Sequence, residues 1–134
     1  PDEIYNDPAN VFVAQFIGSP KMNILKINID DVVSDNQINF LGNKVTIEGI
    51  NFSKNNYYLG IRPEHFSVSK DSEYKFEPKI DLIENLGNEK IAYIKIDNHD
   101  ISTKIPSQNT IGNTFGFNSK NIFVFDENGK RIRA

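Results

Sequence analysis

After Met22 the chain alternates apolar and polar residues with period two. Ile27 and Ile29 flank Asn28, Ile38 and Phe40 flank Asn39, Val45 and Ile47 flank Thr46, and Ile94 and Ile96 flank Lys95. Such alternation marks strands with one buried face. Turn formers interrupt it at short intervals, at Leu41-Gly42-Asn43, Leu86-Gly87-Asn88, Asp97-Asn98 and Glu127-Asn128-Gly129. Two longer runs, Phe76–Leu86 and Glu89–Asp97, read as a hairpin closed by Gly87-Asn88. Many short strands with evenly spaced turns predict a small all-β barrel or sandwich.

The pattern before Met22 is helical. Asp7 is placed to cap and Pro8 to occupy the first helical position, Phe12 and Phe16 stand one turn apart, and Gly18 and Pro20 end the run. The expectation is a helix over about Pro8–Ile17. A faint internal echo relates Gly60–Val68 to Gly116–Val124, each reading as strand end, polar turn and short apolar strand.

Composition then narrows the function. The 134 residues suit one ordinary domain, or two very small intertwined ones, with 38% hydrophobic and 25% charged residues, a globular balance. Net charge is −3, from 15 Lys and Arg against 18 Asp and Glu. A fold that lives on phosphate contacts carries a concentrated basic surface, so nucleic acid is set aside as the main partner. Without cysteine there is no disulfide or thiolate metal site. The longest apolar run, Val11–Ile17, falls far short of the ~20 residues that span a bilayer. The first residue is Pro1, and the chain reads as a piece of something longer.

Catalytic parts are missing. No G-x-x-x-x-G-K-[ST] loop, C-x-x-C, H-E-x-x-H or G-x-S-x-G occurs, and the eight glycines form no phosphate cradle. His65 and His99 lie far apart and read as structural, and Asp30-Asp31 reads as a solvated turn. Of the ten Phe, those at alternating positions (Phe40, Phe115, Phe117, Phe123, Phe125) read as core, while Tyr57 and Tyr58 are candidate surface platforms. Asn51-Phe52-Ser53 matches a glycosylation acceptor, which carries no weight without a secretory signal.

Four segments, in order, resemble one family. Pro1-Asp2-Glu3-Ile4-Tyr5 leads through Pro8–Ala14 to Phe16-Ile17-Gly18-Ser19-Pro20-Lys21-Met22-Asn23. Gly60-Ile61-Arg62-Pro63-Glu64-His65, Ile83-Glu84-Asn85-Leu86-Gly87-Asn88-Glu89, and Phe123-Val124-Phe125-Asp126 running into Asn128–Ile132 follow. Together they resemble the C-terminal regulatory (TOBE, OB-like) domain of the ATP-binding subunit of maltose-type ABC importers. Two departures stand near the far edge: Phe123 where the family often has histidine, and Asn118-Ser119-Lys120 in place of a proline-containing turn.

The resemblance implies an OB-like barrel or sandwich of short antiparallel strands with one short N-terminal helix. Residues 1–20 would be the junction from an ATPase cassette and 21–134 the regulatory domain. It implies a non-catalytic domain that holds two ATPase subunits together and, in some relatives, receives an inhibitory protein of the sugar phosphotransferase system. ATP and Mg would belong to the cassette, with no cofactor in this part. The whole subunit would sit on the cytoplasmic face of the membrane beside its permease, powering uptake of sugars or related solutes. Candidate interface or regulatory residues are then Ser19, Pro20, Met22 and Asn23 at the helix exit, Arg62, Pro63 and Glu64, and Glu84 and Glu89 beside the hairpin turn. Pro63 sets Arg62 extended, which would put Arg62 and Glu64 on one face. Two other classes remain: a small-ligand (oxyanion-type) binding β domain, and OB-type nucleic-acid binding.

Overall fold

The computed structural model describes residues 9–10, 21–66 and 71–133. Twelve short strands and three single-turn 3-10 segments make up the described chain. In order these are β1 (Asn23–Ile27), η1 (Ile29–Asp31), β2 (Val32–Ser34), β3 (Gln37–Phe40), β4 (Asn43–Thr46), β5 (Tyr57–Ile61) and η2 (Pro63–His65). There follow β6 (Tyr74–Phe76), β7 (Ile80–Asn85), β8 (Glu89–Ile96), β9 (His99–Pro106), β10 (Phe115–Phe117), η3 (Ser119–Asn121), β11 (Phe123–Asp126) and β12 (Arg131–Ile132). All pairings are antiparallel. The all-β arrangement expected from the alternation is the one observed.

The strands form four small sheets: β1-β5-β11-β12, β2-β3-β4, β7-β8-β9 and the pair β10-β6. Two are meanders of sequence neighbours. The four-stranded sheet instead gathers strands from both ends of the described chain. Alternation places one side of every sheet on a common core. Leu25, Ile27, Leu59, Ile61 and Val124 enter it from the four-stranded sheet, Ile38, Phe40 and Val45 from the second, and Ile94, Ile101 and Ile105 from the third. At its centre is Phe117, fully buried, with ring centroids of Phe40, Tyr74, Phe66 and Phe76 at 5.4, 5.5, 5.9 and 6.1 Å. Perpendicular and offset ring contacts of this kind add to area burial.

Several expectations shift. The run Phe76–Leu86 is not one strand, because Glu77-Pro78-Lys79 separates β6 from β7 and the two join different sheets. Pro78 has no N–H to offer a ladder, so the chain turns a corner there. The strand through Ile27 and Ile29 ends at Ile27. There the Asp31 carboxylate accepts the Asn28 N–H (3.1 Å) and the Asn28 carbonyl accepts the Asp31 N–H (2.9 Å), coiling Ile29–Asp31 into η1. Tyr57 is buried rather than a platform; its ring meets Phe52 edge-on and its hydroxyl accepts the Ser53 N–H at 2.8 Å. The first part of the internal echo has a structural counterpart, since β5 and β10 each run into a 3-10 turn, η2 and η3, while residues 67 and 68 of its end lie outside the described residues.

Of the helix expected over about Pro8–Ile17, only Ala9 and Asn10 are described. Ala9 is in a bend and Asn10 forms an isolated antiparallel bridge with Lys130, while the Ala9 carbonyl accepts the Arg131 N–H at 3.0 Å. The rest of that helix, with Ser19 and Pro20, lies outside the described residues.

Candidate functional site

Asn23 opens β1 and ties two sheets together. Its side-chain NH2 donates to the Ile61 carbonyl of β5 (3.0 Å) and the Ser102 carbonyl of β9 (2.9 Å), and its side-chain oxygen accepts the Ser102 N–H (2.8 Å). One side-chain amide thus pairs with Ser102 as a strand backbone would. Asn23 is 6% exposed, so its own amide is largely withheld from water and needs its partners, of which Ser102 is half-buried.

Met22 packs on the opposite face of the four-stranded sheet, in a small cluster with Phe125, Ile24, Tyr58 and Phe123. Gly60 sits at its centre, between Ile24 and Phe123 in register. A Cβ there would come within 2.7 Å of the Met22 sulfur and 3.0 Å of a Phe125 ring carbon, which accounts for glycine at this position.

Arg62 is extended, as expected before a proline, but the chain coils immediately after it. Pro63 begins η2, so Arg62 turns inward and Glu64 stays exposed. Arg62 is 5% exposed and its guanidinium lies 5.3 Å from the Phe123 ring centroid. Arg131 lies 4.5 Å from the same centroid, giving Phe123 two cation–π neighbours. Both arginine–ring contacts escaped the sequence reading, because residues 62, 123 and 131 meet only through the β5-β11-β12 pairing.

The β7–β8 hairpin forms as expected, closed by a Leu86 N–H to Glu89 carbonyl bond of 2.9 Å with Gly87 at φ 93°. Glu84 accepts the Tyr93 hydroxyl proton (3.3 Å) and Glu89 pairs with Lys104 (3.4 Å). Both carboxylates are therefore surface features of modest energetic weight. More informative is β7 itself, the edge of its sheet. Leu82, Ile83 and Leu86 are 60%, 46% and 51% exposed. An edge strand with bare apolar side chains is a template for another chain.

No protein-family model matches the chain. Curated relatives do match it. The alpha-glucoside transport ATP-binding protein of Rhizobium meliloti is 33% identical over 144 aligned residues, which take in 100% of this chain and 40% of the relative. The maltose/maltodextrin import ATP-binding protein of Vibrio cholerae is 33% identical over 144 residues, 99% of this chain and 39% of the relative. The chain is homologous to the C-terminal part of sugar-importer ATP-binding subunits. The sn-glycerol-3-phosphate import ATP-binding protein of Vibrio vulnificus is also similar, at 34% over 141 residues, 98% of this chain and 37% of the relative. The chain spans about two-fifths of the length of these three relatives.

Within this importer-subunit homologue, the described residues hold no group of three or more His, Asp or Glu placed to bind a metal. None of their helices is long and apolar enough to cross a membrane. Candidate residues do not converge on one point. Met22 and Asn23 lie at the β1 end, Arg62 and Pro63 are buried beside them in the sheet order, and Glu84 and Glu89 are on the hairpin.

Two histidines respond to pH. Burial pushes His65 below the usual histidine range against the opposing pull of Glu64, with Arg62 and Lys120 adding to the fall. Burial also lowers His99, against Asp97, Asp31 and Asp100. The His65 Nδ1 atom is buried without a hydrogen-bond partner among the described residues. Above the unfolded value of about 6.5 both rings are neutral whether folded or not, and their contribution is fully present. As pH falls below it the unfolded chain takes up protons first, and stability is lost. Thermal melting is therefore expected to fall between about pH 7.5 and 5.5, and a His65→Gln/His99→Gln double variant should show a flatter profile. Equal slopes for the two proteins would rule the histidines out as the cause.

Proposed function

We propose that this chain is a non-catalytic regulatory and dimerisation domain of the ATP-binding subunit of an ABC importer for sugars or related solutes. The observation that carries the reading is homology along the whole chain to import ATP-binding proteins of which it spans only about two-fifths. On this reading the domain binds no nucleotide. ATP and Mg are handled by the cassette, and the parent subunit hydrolyses ATP at the cytoplasmic face of the membrane beside its permease. The exposed apolar edge of β7 supports a protein-contact role. The acidic net charge of −3 argues against nucleic acid.

Sedimentation equilibrium over a wide concentration range, with an ATPase assay on the same sample, tests the proposal. A reversible dimer without ATP turnover is the expected result. Ile83→Asp, at an exposed edge position, is expected to weaken association at least about tenfold while leaving the far-ultraviolet spectrum unchanged. A strict monomer would overturn the dimerisation role, and ATP turnover by the purified chain would overturn the non-catalytic one.

A further inference from the structure

A second feature lies away from β7. An open cleft of ≈ 450 Å³ is bounded by three tight bends: the β1–η1 corner, the β3–β4 tip and the β8–β9 tip. Its volume falls in the range of about 300–1,000 Å³ typical of small-molecule sites. Ile27, Phe40 and Leu41 line the apolar part. Around them stand Lys26, Asn39, Asp97, Asn98 and His99, with Asn28 and Asp31 at the corner.

The bends hold these groups in place. Leu41 and Gly42 (φ 50° and 78°) and Asp97 and Asn98 (φ 50° and 65°) are consecutive left-handed pairs, as in the mirror-image two-residue turns that suit a twisted hairpin. Asp31 is fixed by its bond from the Asn28 N–H, and the His99 ring stands edge-on to Phe40 at 6.1 Å. The side chains of Lys26, Asn39, Asp97 and Asn98 make no hydrogen bond to another described residue. Exposed donors and acceptors are thus uncommitted and gathered around the cleft by backbone turns, over a nearly buried apolar base.

The charges select the ligand. Asp31 and Asp97 outnumber Lys26, which disfavours phosphate and other anions. Asp31, Asp97 and His99 all border the cleft, but among the described residues no three such groups are placed closely enough to hold a metal ion. A hydroxyl group both donates and accepts, matching the mixture of ammonium, amide, imidazole and carboxylate around the cleft.

We propose that the cleft between the β3–β4 and β8–β9 tips binds a neutral polyhydroxylated molecule of mono- or disaccharide size. Binding itself stands on the cleft. Its meaning, a solute reporting its own abundance to the importer that brings it in, rests on the function proposed above.

The test is an amide-resolved NMR titration of the chain with glucose, maltose, inorganic phosphate and spermidine. Glucose or maltose is expected to shift amides at 39–42 and 97–99. Asn39→Ala and Asp97→Asn should each weaken that binding about tenfold, the loss of roughly one good hydrogen bond. Asp97→Asn keeps a residue that tolerates the left-handed turn, so its fold survives. Asn128→Ala, in a distant turn, should leave affinity unchanged. No shift with either sugar at 50 mM (an upper limit of about 2 kcal/mol on affinity), shifts elsewhere, or a response to phosphate or spermidine instead would each overturn the inference. A dimer that ignores sugars sinks this proposal alone, and a sugar-binding monomer sinks only the dimerisation role.

Discussion

Phe117→Ala is expected to cost about 3–5 kcal/mol, the largest loss of any single truncation in this chain. Its ring is fully buried at the meeting point of Phe40 from the β2-β3-β4 sheet, Phe66 beside η2, and Tyr74 and Phe76 of β6. Removing it deletes transfer energy and opens a void that four aromatic neighbours cannot close by small movements. Collapse is further limited by Gly116, where even a Cβ would collide with Ser72. Urea unfolding followed by fluorescence would measure the difference. A loss below about 1 kcal/mol would mean that the sheets do not share this centre.

Asn23→Ala should follow, at about 3 kcal/mol, well above the ~1 kcal/mol of an ordinary hydrogen bond. The change strands the Ile61 carbonyl and the N–H and carbonyl of Ser102 together, in a place with little water to replace the amide. Asn23→Asp separates shape from chemistry. It keeps the volume but turns a carboxylate oxygen toward two carbonyls that need a donor, and at neutral pH it should be no better than alanine. Denaturation midpoints of the three proteins decide the matter. An aspartate variant close to the parent would show that Asn23 only fills space.

These two residues differ in how much the sequence disclosed of them. Phe117 was readable as core because its alternation with Phe115 is local. Asn23 stood in a motif, and its role as connector could not be read, because Ser102 lies 79 residues away. Arg62 shows the same limit more sharply. Its neighbour Pro63 correctly suggested an extended Arg62, but Pro63 also begins a 3-10 turn, so Arg62 and Glu64 do not share a face and the buried guanidinium lies against the Phe123 ring. Turns were legible where a positive φ is taken up by a residue that tolerates it, as at Gly87 and Asn98. The sugar-sized cleft was not, since its lining comes from three separate stretches, each of which alone reads as a solvated bend.

The sheet order also sets the sequence of events in folding. The β2-β3-β4 and β7-β8-β9 meanders join neighbours through short turns, so their ladders close quickly and with little loss of chain entropy. The sheet β1-β5-β11-β12 closes only when strands first met at Asn23 and last met at Ile132 come together. Its assembly is expected to be the slow, entropically demanding step, with the apolar faces of the two meanders uncovered until it completes. Association of copies through those uncovered faces is thus a hazard during folding, separate from any contact made by the finished domain.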